Sequence, residues 1–351
     1  MKRNKAIDFL TVTLFFGILL TFLVYVGIGT VMGVDPDDDG SKSFNDMFYA
    51  DSFVGDSVRL IDYRIFRHIK GDNIIIGKDG WLFEAVDSEN GYERLLDYIG
   101  GNSFSDEELK KIADNMQTRK QAYEDKGMSY MMIVIPDSVT VCDDQMPWYL
   151  GKQSENTRLA QLSAYLEKKD INALIDMTSK MQNEGGDIPM YNNTENSINA
   201  YGAFCVYNTV VSRYLADTGR EVDRIYRDDV EFYTRLTDGK RIAQLSGLEQ
   251  SIKNRTVSLT DNMPDDYIVT YNEKGFMITE RTVLEGARSE CVVVECANDW
   301  DRTQLMPYFS NTFERVYYRS KLMEQPYTAE QYGATLVVQI IHESELGQLV
   351  K

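Results

Sequence analysis

The stretch "MSYMMIVIPDS", Met128 to Ser138, constrains the fold more than any other part of the chain. A continuous apolar run of this length reads as a strand buried on both faces, and such a strand needs layers of structure above and below it. The segment just before it, "SDEELKKIADNMQTRKQAYEDKG", supplies one layer. Ser105 and Glu108 are spaced as a capping box, Phe104 and Leu109 as a hydrophobic staple, and Gly127 stands where a helix C-terminus favours glycine. Leu109, Ile112, Ala113, Met116 and Tyr123 share one face of that helix.

The alternation repeats downstream. Leu159, Leu162 and Leu166 predict a helix over 157–168, "INALIDM" a strand over 171–177, and the following pattern a helix over 199–217 that stops before Gly219. Then come "CVVVECA", a short helix over 302–313, "RVYYRS" and "ATLVVQIIHES". Strands alternating with helices predict an α/β domain with a mainly parallel sheet and helices on both faces. It opens at "NIIIGKDGWLFEA", a short apolar strand and a Lys-Asp-Gly turn, and residues 220–285 read as a strand-rich insertion or edge hairpin. Functional residues in such folds lie beyond the carboxyl ends of the strands, so the loops after Pro136, Met177 and Cys296 are the candidates.

The amino end has a different character. Residues 1–8 carry Lys2, Arg3 and Lys5, and Phe9 to Val34 is an uncharged, mostly apolar run. That run is long enough to cross a bilayer, and longer than the roughly 7–15 apolar residues of a cleaved signal peptide. The expectation is a cytoplasmic basic end over 1–8, one transmembrane helix over 9–34, a tether over 35–72 and an extracytoplasmic domain over 73–351.

Composition removes several function classes. Lys and Arg total 37 against 55 Asp and Glu, a net charge of −18, so phosphate backbones are repelled and nucleic acid is not an expected partner. Four cysteines are too few for a disulfide scaffold. Cys291 and Cys296 flank "VVVE"; at the ends of a strand their Cα atoms lie about 16 Å apart, beyond the roughly 7 Å limit for a bridge. Cys142 and Cys205 fit either a disulfide or two buried thiols. With two histidines, His68 and His342, and no Cys/His spacing of a zinc site, neither metal nor cofactor is expected.

Single motifs are weak guides. Gly55-Asp56-Ser57 has the form of a nucleophile block but follows a short polar stretch, which fits a turn better. His342 ends a core strand, where a general base could stand, although a structural role is commoner for a lone histidine. His68, in "YRIFRHIKG", fits a surface position near the tether. Trp81 suits a sugar face or, more simply, a core position beside a glycine turn, and Asp143 and Asp144 suit a solvated loop.

Taken in order, these pieces resemble a family. "GKDGWLF" is similar to its opening signature, and "MMIVIPDSVTV" followed by "MPWYL" to its strand ending in a proline loop. The resemblance is to the SGNH hydrolase-like proteins of alginate O-acetylation, including the related DHHW proteins, over residues 44 to 350 and weakest at 220–285. It implies an SGNH-like, flavodoxin-like fold at the plasma membrane of a bacterium, with a multi-spanning membrane acyltransferase and a cell-surface polysaccharide as partners.

The family motif Asp-x-His-Trp-Asn-x-x-Gly-Ala provides the acid and base of a catalytic triad. Aligned on Gly202 and Ala203 it puts the acid at Glu195, the base at Ser197, the tryptophan at Ile198 and the asparagine at Asn199, with Tyr191 at a further family position. The nucleophile block, anchored on Pro307 and Tyr308, keeps its acid as Asp299 and has Trp300 in place of the serine. The resemblance also places Glu343 at the family's final acidic residue and makes Trp81, Asn199 and Glu343 candidates for substrate binding. Acyl transfer of this type needs a hydroxyl nucleophile and an imidazole base, and losing either costs on the order of 10⁶ in rate. The expectation is therefore a pseudoenzyme that serves as scaffold or binding subunit. The alternatives are an active acetyltransferase or esterase using Ser57, Ser138 or His342, or an envelope assembly protein unconnected with acetylation.

Overall fold

The computed structural model describes residues 17, 73–87, 91–184, 186, 188–260, 266–272, 276–282, 290–320 and 327–350. The expected membrane segment (Gly17 apart), the tether, Gly55-Asp56-Ser57 and His68 lie outside the described residues. Among the described residues no helix is long and apolar enough to cross a membrane.

In chain order the elements are β1 (Ile74–Ile76), β2 (Leu82–Glu84), α1 (Arg94–Tyr98), α2 (Asp106–Glu124), β3 (Ser129–Ile135), α3 (Ser138–Val141), α4 (Arg158–Lys168), β4 (Leu174–Asp176), α5 (Thr178–Glu184), α6 (Ala200–Thr218), β5 (Phe232–Asp238), α7 (Arg241–Leu245), β6 (Lys253–Leu259), β7 (Tyr267–Tyr271), β8 (Met277–Arg281), β9 (Cys291–Cys296), α8 (Asp299–Thr312), β10 (Arg315–Arg319), α9 (Tyr327–Gln331) and β11 (Leu336–His342). The main sheet runs β4-β3-β11-β9-β10-β8-β7. Its first five strands are mutually parallel, and β8 and β7 are added antiparallel at one edge. The segment 220–285 thus divides into two parts: β5 and β6 form a separate antiparallel hairpin, and β7 and β8 extend the main sheet.

Side-chain alternation along the strands divides the core into two layers, as an α/β sheet requires. Met131, Ile133, Ile135, Val292, Val294, Val338 and Ile340 pack with α6 and α8 on one face. Tyr130, Met132, Val134, Val293, Val337 and Ile341 pack with α2 and α4 on the other. The capping box at Ser105 and Glu108 forms, and the five predicted apolar residues of α2 are its buried face. Gly219 ends α6 in the left-handed region at φ 64°.

Two boundaries differ from the sequence pattern. β4 shortens to Leu174–Asp176, because only those residues pair with β3. α8 starts at Asp299 rather than 302, because the Asn298 side chain accepts hydrogen bonds from Trp300 N and Asp301 N and caps the earlier turn. All four cysteines are free thiols, Cys142 and Cys205 included.

Candidate functional site

The loop "YNNTENSI" and the start of α6 carry the motif that the sequence aligns with a catalytic one. Each retained residue has a local structural duty. Asn199 caps α6 by accepting from Tyr201 N and Gly202 N at 3.0 Å each, and its amide donates to Pro189 O at 2.7 Å. A Cβ on Gly202 would lie 2.5 Å from Met190 O, so only glycine fits. Ala203 is fully buried, and the buried Tyr191 hydroxyl donates to Pro136 O at 2.7 Å, tying the loop to the carboxyl end of β3.

Between these points the loop is a polar hub. Asn193 donates to Gly80 O at 2.8 Å and Lys253 O at 3.0 Å and accepts from Arg255 N at 2.6 Å. Asn192 accepts from Val257 N at 3.0 Å, and Thr194 Oγ1 donates to Asn254 Oδ1 at 2.8 Å and accepts from Lys240 N at 2.9 Å. Three buried side chains therefore knit the β1–β2 turn, α7 and β6 together, which satisfies backbone groups that a buried loop would otherwise leave unpaired.

The positions aligned with the triad form a different environment. Glu195, Ser197 and Asn298 are half-buried, while Asp299 and Trp300 are exposed, Trp300 by 64%. Glu195 Oε2 accepts from Asn192 Nδ2 at 2.5 Å; its carboxyl is raised above the usual range by burial, opposed by that hydrogen bond and by Lys240. Ser197 Oγ lies 3.4–3.5 Å from the amide of Asn298. The residue facing the base position is thus Asn298 rather than Trp300, whose side chain turns to solvent. Asp299 pairs with Arg302 at 2.7 Å. Among the described residues no imidazole, and no nucleophilic hydroxyl paired with a base, stands at this patch.

The titratable groups have gathered elsewhere. His342, at the carboxyl end of β11, is 5% exposed and places Nε2 2.5 Å from Asp301 Oδ2, while Nδ1 is 3.5 Å from Asp137 Oδ1, a charge contact rather than a hydrogen bond. Burial alone favours the neutral ring, but Asp301 and then Asp137 outweigh it and hold His342 well above its usual 6.5. Burial likewise pushes Asp137 up, and His342 and Arg94 overcome it, so the carboxyl is lowered to about 2. Arg94, itself buried, reaches Glu84 at 3.4 Å, Asp87 at 3.2 Å and Asp137 at 3.2 Å. Asp137 also accepts from Ser344 N at 2.9 Å, and Asp301 from Ile198 N at 2.9 Å.

Two flanking carboxylates therefore favour the protonated ring of His342 over the neutral form that a general base needs. Ser138 Oγ is buried and has no hydrogen-bond partner, hence nothing activates it. Among the described residues no group of His, Cys, Asp and Glu is arranged to hold a metal ion. The three candidates for substrate contact are interior: Trp81 stacks on Phe83 at 5.7 Å in the core, Asn199 is the α6 cap, and Glu343 accepts from Thr140 Oγ1 at 2.8 Å. Burial pushes the Glu343 carboxyl up to about 8, with Asp137 and Asp97 adding to it.

The sequence offers no signal for Arg94, which lies outside the periodic segments. Asp137 and Asp301 had one: each follows a core strand at its carboxyl end, where α/β folds collect polar groups.

Residues 74–264 match the family described as ALGX: SGNH hydrolase-like domain, acetyltransferase AlgX. No curated protein matches the chain. Among solved structures, Bacillus cereus PatB1 superposes with a TM-score of 0.55 at 13% identity, over 80% of this chain and 99% of that one. The same protein carrying a sulfonyl adduct gives a TM-score of 0.53 at 13% identity, over 80% and 98%. A DHHW family protein from Eubacterium siraeum gives 0.51 at 13% identity, over 79% and 95%. At these identities the structures show a shared fold.

Proposed function

Because this chain belongs to the SGNH hydrolase-like family of the acetyltransferase AlgX, we propose that it is a non-catalytic member of an acetylation system. In this reading the domain is held outside the plasma membrane by the apolar run from Phe9 to Val34 and serves as a scaffold or binding subunit in O-acetylation of a cell-surface polysaccharide. A multi-spanning membrane acyltransferase supplies the acyl group.

One observation carries the reading: Ser197 occupies the base position opposite Asn298, while His342 is buried with its two ring nitrogens facing the carboxylates of Asp137 and Asp301. Neither half of the nucleophile–base pair is present where the fold would use it. The retained loop frame is accounted for by the contacts of Asn193, Asn199 and Gly202, without any catalytic duty. The exposed Trp300 indole beside Asp299 offers an apolar face and an acceptor to a sugar ring, which suits binding.

The test is covalent labelling. The full chain in detergent is incubated with a serine-directed sulfonyl fluoride and with an activated acetyl ester and read by intact mass, with PatB1 as the reactive control because its structure is known with a sulfonyl adduct. The expected result is labelled PatB1 and an unlabelled chain that still melts cooperatively. A stoichiometric adduct that maps to one serine, such as Ser138 or Ser57, and disappears when that serine becomes alanine would sink the proposal in favour of an active acetyltransferase or esterase.

A further inference from the structure

Among the described residues the far edge of the main sheet departs from how edge strands are usually protected. β7 is "YIVTY", Tyr267–Tyr271, with no lysine, no proline and no charge of any kind. Ile268 is 49% exposed, Val269 44% and Tyr271 68%, and Thr270 is exposed as well. Edge strands usually carry charges, prolines or bulges because their open ladder of N–H and C=O groups will pair with another chain. An uncharged, β-branched and aromatic edge is suited to such pairing.

The ladder fixes which groups face outward. Asn272 N–H donates to Phe276 O at 3.0 Å and Thr282 N–H to Asp266 O at 2.7 Å, so the even-numbered residues of β7 bond to β8. The backbone groups of Val269 and Tyr271 are then aimed at the open side.

The strand is also complementary to itself. In an antiparallel pair of two copies centred on Val269, Val269 faces Val269, Ile268 faces Thr270 and Tyr267 faces Tyr271. Every opposed pair is β-branched or aromatic and no like charges meet. The central residue is one whose N–H and C=O point outward, as a hydrogen-bonded pair on a two-fold axis requires. Self-complementarity in side chains and ladder phase together selects a second copy of this chain as the occupant.

We propose that β7 is the seam of an isologous homodimer, in which two copies join their main sheets by antiparallel β7–β7 pairing about a two-fold axis through Val269. Five residues a side is well below the roughly 20–30 of a standard interface, so the dimer is weak and governed by concentration. Each chain carries a net charge of −18, so like-charge repulsion opposes the dimer and added salt favours it.

The test uses the full chain in detergent with single added cysteines at the seam and a mild oxidant, read on a non-reducing gel against wild type. Val269→Cys should give covalent dimer several-fold above wild type, because the two residues 269 face each other. Ile268→Cys and Thr270→Cys should stay at the wild-type level, since each faces the other's position. No excess dimer from Val269→Cys, or equal dimer from all three, overturns the proposal; the latter outcome means random collision or parallel pairing. In light scattering the dimer fraction should rise between about 50 and 500 mM salt and vanish in Val269→Lys at unchanged melting temperature. A dimer that persists in Val269→Lys also overturns it.

Discussion

Two regions at the same end of the sheet are built in opposite ways. Around His342 the chain has buried charge: Arg94, Asp137, Asp301 and His342 satisfy one another out of reach of solvent. Around Ser197 it has access instead: Asn298 is half-buried, and Asp299 and Trp300 reach solvent, with no nucleophile–base pair among the described residues there. A catalytic triad needs both properties in one place. In the function proposed above, the ionisable groups stabilise the fold and the accessible patch binds.

The comparison breaks most readily at Arg94. Arg94→Met leaves three buried carboxylates without their shared cation and is expected to cost about 3–5 kcal/mol, read by chemical denaturation. A loss below about 1 kcal/mol would mean that the cluster is not a stabilising unit.

The pH dependence is the next largest effect. Glu343 keeps its proton up to about pH 8 when folded and releases it near 4.5 when unfolded, so stability falls as pH rises between those values. His342 acts in the same direction: its contribution is complete below 6.5 and is lost as pH climbs through its raised folded value. Asp137 acts oppositely, contributing above 3.8 and losing that contribution as pH falls through about 2. Melting should therefore peak at mildly acidic pH and decline by on the order of 1 kcal/mol per pH unit toward pH 8. Glu343→Gln should flatten that decline, and an unchanged slope would assign it to other groups.

Asn193→Ala removes three part-buried hydrogen bonds of the loop hub and leaves backbone groups of Gly80, Lys253 and Arg255 short of partners. The expected cost is about 2 kcal/mol, together with faster hydrogen exchange in β6. Protection that stays at wild-type level would show that the hub does not hold the hairpin.

The smallest effect sharpens the contrast. Trp300→Ala should change stability by less than about 0.5 kcal/mol, because its ring packs on little. If it also lowers affinity for a neutral oligosaccharide, measured by calorimetry, the patch is a binding surface.

Much of this architecture was legible in the residues. The capped helix α2, the doubly buried β3 and the alternation that follows are local patterns, and local patterns fix element type. Residues 220–285 were legible as a strand-rich insertion or edge hairpin, and both forms occur, but that β8 joins the β10 edge depends on a register that spans distant parts of the chain. At the site, the motif frame was readable and its meaning was not. Asn199, Gly202 and Tyr191 look like remnants of catalysis in sequence, yet each has a capping, close-approach or tethering duty that only coordinates display. Trp81 and Glu343 illustrate the limit, since a side chain suited to substrate is equally suited to a core position or a buried hydrogen bond.

By itself the sequence determined the layered α/β plan and the absence of any histidine between His68 and His342, so no register of the family motif within that stretch supplies one. Those facts follow from side-chain periodicity and from composition, and neither needs long-range contacts. Only the tertiary structure decided that residues 94, 137, 301 and 342 meet, and that the last histidine is buried with a carboxylate facing each ring nitrogen. Their meeting depends on strand order, and the protonation of His342 on desolvation balanced against two carboxylates, quantities that exist once the chain has packed.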